Sequence, residues 1–315
     1  MARCFRISLE TVGDESAPSS LIAKFNSTDA ETRKLAVDES CYAREIGFYR
    51  ELAPRLPLST PRCLLALIDD SKSEFTLLLE DMSPATQGDQ IKGLSLATAE
   101  EAINELASMH AATWNDSALK SYKWMQSLTD LQEEYFRQQR EVTPEFIKRL
   151  GNRLDPDIVD LINQMATRSD RLVDCLHEQP YALIHWDYRA DNLLVNERVS
   201  PPRVTAVDWQ TVMIGAPLQD VAYFIGASLK TDLRRENEQR LLKDYHQKLL
   251  QCGVRDFTAQ QCYQGYQLGS FSGLTMAVRA AILVEETERG NEMFITMAKR
   301  HGKQVLDLEA QSLLE

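Results

Sequence analysis

The chain has 315 residues, 43% hydrophobic and 26% charged, enough to bury a substantial core as one large domain or two lobes. Its formal net charge of −12 sets it against a nucleic-acid partner, because such a surface repels phosphate backbones. No apolar run approaches the roughly 20 residues needed to cross a bilayer, and the start, Met-Ala-Arg-Cys-Phe-Arg, is too short and polar for a signal peptide. The six cysteines are scattered, with no C-x-x-C pair and no zinc-type cluster. A soluble, cytoplasmic protein with reduced thiols and no membrane partner is expected.

Residues 3–10 alternate, Phe5, Ile7 and Leu9 against Arg6, Ser8 and Glu10, which predicts a half-buried strand. Thr11 to Ser20 reads as a turn. A second strand, Leu21 to Phe25, carries one lysine, Lys24, and side-chain alternation puts Ile22 on the same face. Tyr42, Ile46, Tyr49 and Leu52 recur at helical spacing and predict a helix over 38–53, with Glu45 at the margin of its buried stripe. Pro54, Pro57 and Pro61 end it. A strand pair over 63–68 and 75–79 follows and runs into Glu80-Asp81-Met82. Thr98 to Glu101 reads as a capping box that opens a helix. His110, near that helix's end, is taken as a packing histidine, and 119–177 is charged and helical.

The stretch Leu183-Ile-His-Trp-Asp-Tyr-Arg-Ala-Asp-Asn-Leu-Leu-Val195 then places five polar or ionisable residues between two apolar runs. Buried without partners, each would cost roughly 1–3 kcal/mol or more. A strand, an exposed loop and a second strand are therefore expected, with Asp187 and Asn192 at the loop's two ends. A strand over 203–207 returns the chain to Asp208, so that a short hairpin carries Asn192 and Asp208 at its ends with little loop entropy. Asp220 opens the next helix and reads as an anchor for the loop, and 231–315 is amphipathic helix. A carboxylate that accepts a hydroxyl proton, together with an amide oxygen and a second carboxylate that hold Mg²⁺ against nucleotide phosphates, is the chemistry such a set supports.

The pattern His185-x-Asp187-x4-Asn192, followed by Asp208 in Val-Asp-Trp-Gln, resembles the kinase catalytic loop and metal-binding aspartate. Within that fold it is similar to the aminoglycoside and choline phosphotransferases, and most to the ecdysteroid-kinase-like family. The resemblance implies an α+β, protein-kinase-like fold in two lobes: a small antiparallel β lobe with one helix over 1–82, and a larger, mainly helical lobe over 83–315. It implies ATP and Mg²⁺ as cofactors and a small-molecule hydroxyl as acceptor. Asp187 is then the general base or the group that orients the attacking hydroxyl, with His185 bracing the loop. Asn192 and Asp208 are the metal ligands. Lys24 holds the phosphates and Glu45 holds Lys24, Ile22 lines the adenine pocket, and Glu80, Asp81 and Met82 form the hinge whose backbone meets the adenine edge. Trp209 and Gln210 stand where protein kinases have Phe-Gly. Arg189 is expected to pair with Asp191 or to meet an acceptor.

One departure stands out. Residues 1–7 match the second strand of such a lobe, so the first strand and its phosphate-covering, glycine-rich turn are expected to be missing. Two other readings compete with the kinase: a pseudokinase that binds nucleotide without transfer, and a metal-dependent phosphohydrolase using His185, Asp187 and Asp208. The second needs further ligands from only five histidines.

Overall fold

A computed structural model describes residues 2–10, 12–13 and 17–315. The predicted turn from Thr11 to Ser20 therefore lies partly outside the described residues. Strands β1 (Ala2–Ser8) and β2 (Ser20–Asn26) pair antiparallel, with Cys4 opposite Lys24. With β3 (Cys63–Ile68) and β4 (Phe75–Glu80) they form one antiparallel sheet in the order β1-β2-β4-β3. Lys24 lies opposite Leu77 and Ile22 opposite Leu79, so the period of two gathers these residues on one face.

Between β2 and β3 the expected single helix is two. Helix α1 (Ala30–Asp38) is capped by Asp29, whose carboxylate accepts from the Thr32 amide, and α2 (Cys41–Gly47) follows after Ser40 turns left-handed at φ 56°. A π-turn over Phe48–Leu52 and a 3₁₀ turn over Ala53–Arg55 complete the segment. The break falls where Ser40 adopts a conformation that a β-carbon disfavours, so the apolar spacing runs on across a backbone that does not.

The rest is mainly helical. Helix α3 (Leu96–Ala112) starts two residues before the expected capping box: Ser95 is its cap and accepts from the Thr98 amide. Helices α4 (Leu128–Leu150), α5 (Pro156–Arg168) and α6 (Asp170–His177) precede a short buried strand, β6 (Ala182–Ile184). β6 pairs with β9 (Met213–Gly215), while β7 (Leu193–Asn196) and β8 (Arg203–Ala206) form the hairpin, joined at its edge by β5 (Thr86–Gln87). Helices α7 (Pro217–Ser228), α8 (Thr231–Gln251), α9 (Ala259–Leu283) and α10 (Glu288–Asp307) close the chain. Every residue of α7 is buried, which makes it the post around which the catalytic loop and the last helices pack. Among the described residues no helix is long and apolar enough to cross a membrane. No disulfide joins the six cysteines.

Candidate active site

The sheet, the hinge and the hairpin enclose a cavity of about 420 Å³ lined by Ile22, Lys24, Glu45, Glu80, Asp81, Met82, Asn192 and Asp208, with Cys4, Arg6, Leu79 and Gln210 among its other walls. All eight residues expected to meet nucleotide or metal thus share one cavity. Asp187 and His185 do not line it; Asp187 adjoins it through Asn192.

At one end, the Lys24 ammonium lies 2.7 Å from Glu45 Oε1 and 2.7 Å from Asp208 Oδ1. Glu45 is buried, and its second oxygen accepts from Gln210 Nε2 at 3.2 Å. Burial alone would lower the lysine's pKa, but the two carboxylates more than reverse it, so the cation is held above its usual range. For Glu45 burial wins and its pKa is raised despite Lys24. For Asp208 burial pushes up, and the ammonium overcomes it, leaving the carboxyl below the usual range. The Asp208 side chain keeps 44% of its surface exposed, and Lys24 occupies only its Oδ1.

Asp208 has φ 65°, a left-handed conformation that costs a non-glycine residue about 1–2 kcal/mol. It is held there because Trp209 stacks on Phe48 at 3.8 Å and 10°, while its indole N–H donates to the Ala206 carbonyl. Trp186, at φ 67°, is a second such position. Here the loop is pinned by Asp220 at the start of α7, whose buried carboxylate accepts from the His185 amide at 2.6 Å and the Trp186 amide at 2.9 Å. His110 packs behind it, with Nε2 3.6 Å from Asp220 and Nδ1 2.9 Å from the Tyr245 hydroxyl.

His185 is fully buried. Its Nε2 faces the Val207 carbonyl at 3.0 Å and its Nδ1 accepts from the Asp187 amide at 3.3 Å, which fixes the Nε2–H tautomer and uses both ring nitrogens inside the loop. That geometry removes it from any metal-ligand set. Among the described residues no group of three or more His, Cys, Asp or Glu could hold a metal ion, which argues against the phosphohydrolase reading.

Asp187 is gripped by three donors. Oδ1 accepts from the Tyr223 hydroxyl at 2.8 Å and Arg189 Nε at 3.0 Å, and Oδ2 accepts from Asn192 Nδ2 at 2.7 Å. A carboxylate offers about four lone-pair directions, so one on Oδ2 is left. Asn192 spends its amide nitrogen on Asp187, which turns its carbonyl oxygen away from that contact. Arg189 also pairs with Asp191 at 2.9 Å; burial disfavours its charge, yet the flanking carboxylates and Tyr223 keep its pKa above the usual range.

At the hinge, the Glu80 amide is already donated to the Arg62 carbonyl and the Met82 carbonyl to the Ala85 amide. The Asp81 side chain, expected to matter little, accepts from Ser20 Oγ and pairs with Arg6 Nε, each at 2.7 Å. Tyr223 escaped the sequence reading, although it lies one helical turn after Asp220.

Solved structures share this fold at low identity. An aminopropanol kinase associated with a microcompartment aligns with TM-score 0.58 and 13% identity over 98% of this chain and 94% of its own. Choline kinase from Cryptosporidium parvum Iowa II gives 0.55 and 10% over 98% and 89%. A putative aminoglycoside phosphotransferase from Ralstonia eutropha JMP134 gives 0.53 and 17% over 96% and 92%. No curated protein matches the sequence. The model of the ecdysteroid kinase-like family matches residues 1–255, and the chain belongs to that family.

Proposed function

We propose that the protein is an ATP- and Mg²⁺-dependent phosphotransferase that moves the γ-phosphoryl group to a hydroxyl of a small organic molecule, giving a phosphate ester and ADP. Its amino-terminal lobe runs over 1–82 and its helical lobe over 83–315, with the nucleotide cleft between them. The observation that carries this reading is the convergence of Lys24, Asn192, Asp208 and Asp187, from four separate segments, at one end of a single cavity.

The residues present fit the groups they would hold. Asp208 Oδ2 and Asn192 Oδ1 are hard oxygens left over by the internal hydrogen bonds. Mg²⁺ is commonly bound by one or two protein oxygens and completed by phosphate and water. Bound Mg²⁺–nucleotide supplies the electrophilic phosphoryl group and neutralises charge on its oxygens. Lys24 keeps a positive charge at that end of the cavity, braced by Glu45. Ile22 and Leu79 offer an apolar surface to a flat base, and the Glu80–Met82 backbone lies along the rear wall. Asp187 orients the acceptor hydroxyl and takes its proton at the remaining Oδ2 position. Phosphoryl transfer asks mainly for such positioning and electrostatic support.

The reading is tested by the thermal shift with ATP plus Mg²⁺ in the wild type and in Asp208→Ala, followed by ADP release across an alcohol panel. Nucleotide at 100 times its Kd should stabilise the fold by about 2.7 kcal/mol. A shift that requires Mg²⁺ and disappears in Asp208→Ala is expected. An equal shift in both proteins sinks the assignment of Asp208, and no acceptor-dependent ADP from any alcohol sinks transfer.

A further inference from the structure

Beside the catalytic loop, helix α4 carries buried cations that the nucleotide site does not use. Tyr135 on α4 is 5% exposed, and its ring lies parallel to the indole of Trp186, the residue before Asp187, at 6.1 Å and 10°. The Arg279 guanidinium carbon sits 4.1 Å from the centroid of the same tyrosine ring. Arg279, on α9, is 8% exposed, and its polar partner is a neutral amide: Nε and Nη2 both donate to Gln138 Oε1. Among the described residues no carboxylate comes within ion-pair distance of it. Burial accordingly pulls its pKa down. Glu39 and Glu134 act on it only from further away, and Glu134 is already taken by Arg137.

A second guanidinium repeats the pattern from the other lobe. Arg44 on α2 is 1% exposed, donates to Gln126 Oε1 at 2.9 Å and to Cys41 Sγ at 3.8 Å, and leaves Nε without a partner. Gln126 lies two residues before α4. Arg44 too has no carboxylate within ion-pair distance among the described residues. Other buried arginines are compensated: Arg234 by Glu238 and Asp307, Arg300 by the carbonyls of Gln90, Ala227 and Ile91. The Tyr135 hydroxyl makes no hydrogen bond among the described residues. A desolvated cation without its anion is strongly unfavourable, and a planar guanidinium is built to take an oxyanion through paired N–H groups.

We propose that Arg279 and Tyr135, with Arg44 contributed by the other lobe, form an oxyanion subsite for the acceptor. The alcohol phosphorylated here then carries a carboxylate, sulfate or phosphate group as well as its hydroxyl. The aromatic pair of Tyr135 and Trp186 leads from that subsite to Asp187. The assignment to an acceptor rests on the kinase reading; the anion site itself does not. On a chain of net charge −12, only a locally uncompensated pair of cations would draw an anion in.

Sulfate is the probe. Thermal unfolding is followed at about 10 mM sodium sulfate against sodium chloride of matched ionic strength, so that screening is held constant. The wild type is compared with Arg279→Met, which keeps the apolar stem. Sulfate should raise the wild-type Tm and leave that of Arg279→Met unmoved. Without sulfate, Arg279→Met should melt at or above the wild-type Tm, because an uncompensated charge is gone. A lower Tm in Arg279→Met with no sulfate effect on the wild type makes Arg279 a structural residue and overturns the proposal. An equal sulfate shift in both proteins places the anion elsewhere and overturns it too.

Asp208→Ala keeps the sulfate shift if the two sites are separate. Loss of its nucleotide shift therefore reports on the kinase reading alone. Matched alcohols with and without a carboxylate complete the test. KM for the anionic one should rise at least tenfold in Arg279→Met with kcat little changed. Turnover of neutral alcohols only would end the proposal and leave the kinase reading standing.

Discussion

Tyr223 places its hydroxyl 2.8 Å from Asp187 Oδ1, on the oxygen that Arg189 Nε reaches at 3.0 Å. The tyrosine is 3% exposed and its ring stacks on His301 at 5.4 Å and 18°, so it has little freedom to do anything but hold that carboxylate. Tyr223→Phe removes one hydrogen bond and leaves the stack. About 1 kcal/mol of orientation, realised in the transition state, corresponds to roughly a fivefold to tenfold loss in kcat. Asp187→Asn should cost about 10²- to 10⁴-fold, the range for a positioned proton acceptor. In both variants the Mg²⁺–nucleotide thermal shift should match wild type. Steady-state ADP release with any accepted alcohol checks the rates, and a nucleotide shift lost in Tyr223→Phe would contradict the assigned role.

The Lys24 ammonium neutralises a glutamate that has no route to water. Lys24→Met strands Glu45, which is 1% exposed and retains only Gln210 as a donor. Breaking a buried pair from one side costs about 3–5 kcal/mol. The loss is pH-dependent in a definite direction. A carboxyl whose folded-state pKa is raised contributes stability that is full below its unfolded value and lost as pH rises through the folded one. Glu45 is already raised by burial, and removing Lys24 takes away the group that opposes this. Lys24→Met should therefore be closer to wild type at pH 5 than at pH 8 in urea unfolding. A deficit that does not change with pH would mean that Glu45 gains a cation elsewhere.

The resemblance to kinases was legible because the site's polar residues interrupt apolar runs. His185, Asp187, Asn192 and Asp208 had no place in a core strand, and Lys24 stood alone in one. What the sequence hid is set by tertiary contact or by single dihedral angles. The break between α1 and α2 depends on Ser40 turning left-handed, while Tyr42, Ile46 and Tyr49 keep a helical rhythm regardless. Ser95 and Thr98 are equally good caps by type, and the structure uses the earlier one. Tyr223 meets Asp187 across 36 positions of chain, which no local pattern encodes. Arg44 and Arg279 read as ordinary helix arginines until burial shows that neither has an anion.

His301 sets an acid limit on the fold. Its ring is fully buried between Gly226 and Gly273, and burial pushes its pKa down to about 3. The unfolded chain takes up that proton near the ordinary histidine value of about 6.5. Stability held by the neutral ring is therefore complete above that value and is lost as pH falls toward the folded value. At pH 4.5 the difference amounts to roughly 2–3 kcal/mol. His301→Gln should cost stability at pH 7 but show a flatter decline between pH 6.5 and 4.5, by one proton's worth of slope. Parallel curves for the two proteins in denaturant titrations would show that His301 is protonated in the native state.

Asp220 separates an anchoring role from a chemical one. Its carboxylate accepts two backbone amides of the catalytic loop, one belonging to Trp186 at φ 67°. Hydrogen bonds to a charged group are worth about 1.5–3 kcal/mol each. Asp220→Asn keeps the volume but turns a neutral amide, with one oxygen in place of two, toward both N–H groups. The loop's left-handed residue then has less to hold it, and Asp187 moves with it. The expected result is a loss of roughly 2–4 kcal/mol in global stability, together with a fall in kcat and a Mg²⁺–nucleotide shift that survives. A group acting on the substrate itself would give the other combination: turnover lost while the denaturation midpoint stays at the wild-type value. Urea midpoints and kcat measured on the same preparation distinguish the two, and retained stability with lost turnover would move Asp220 from the loop's anchor into the reaction.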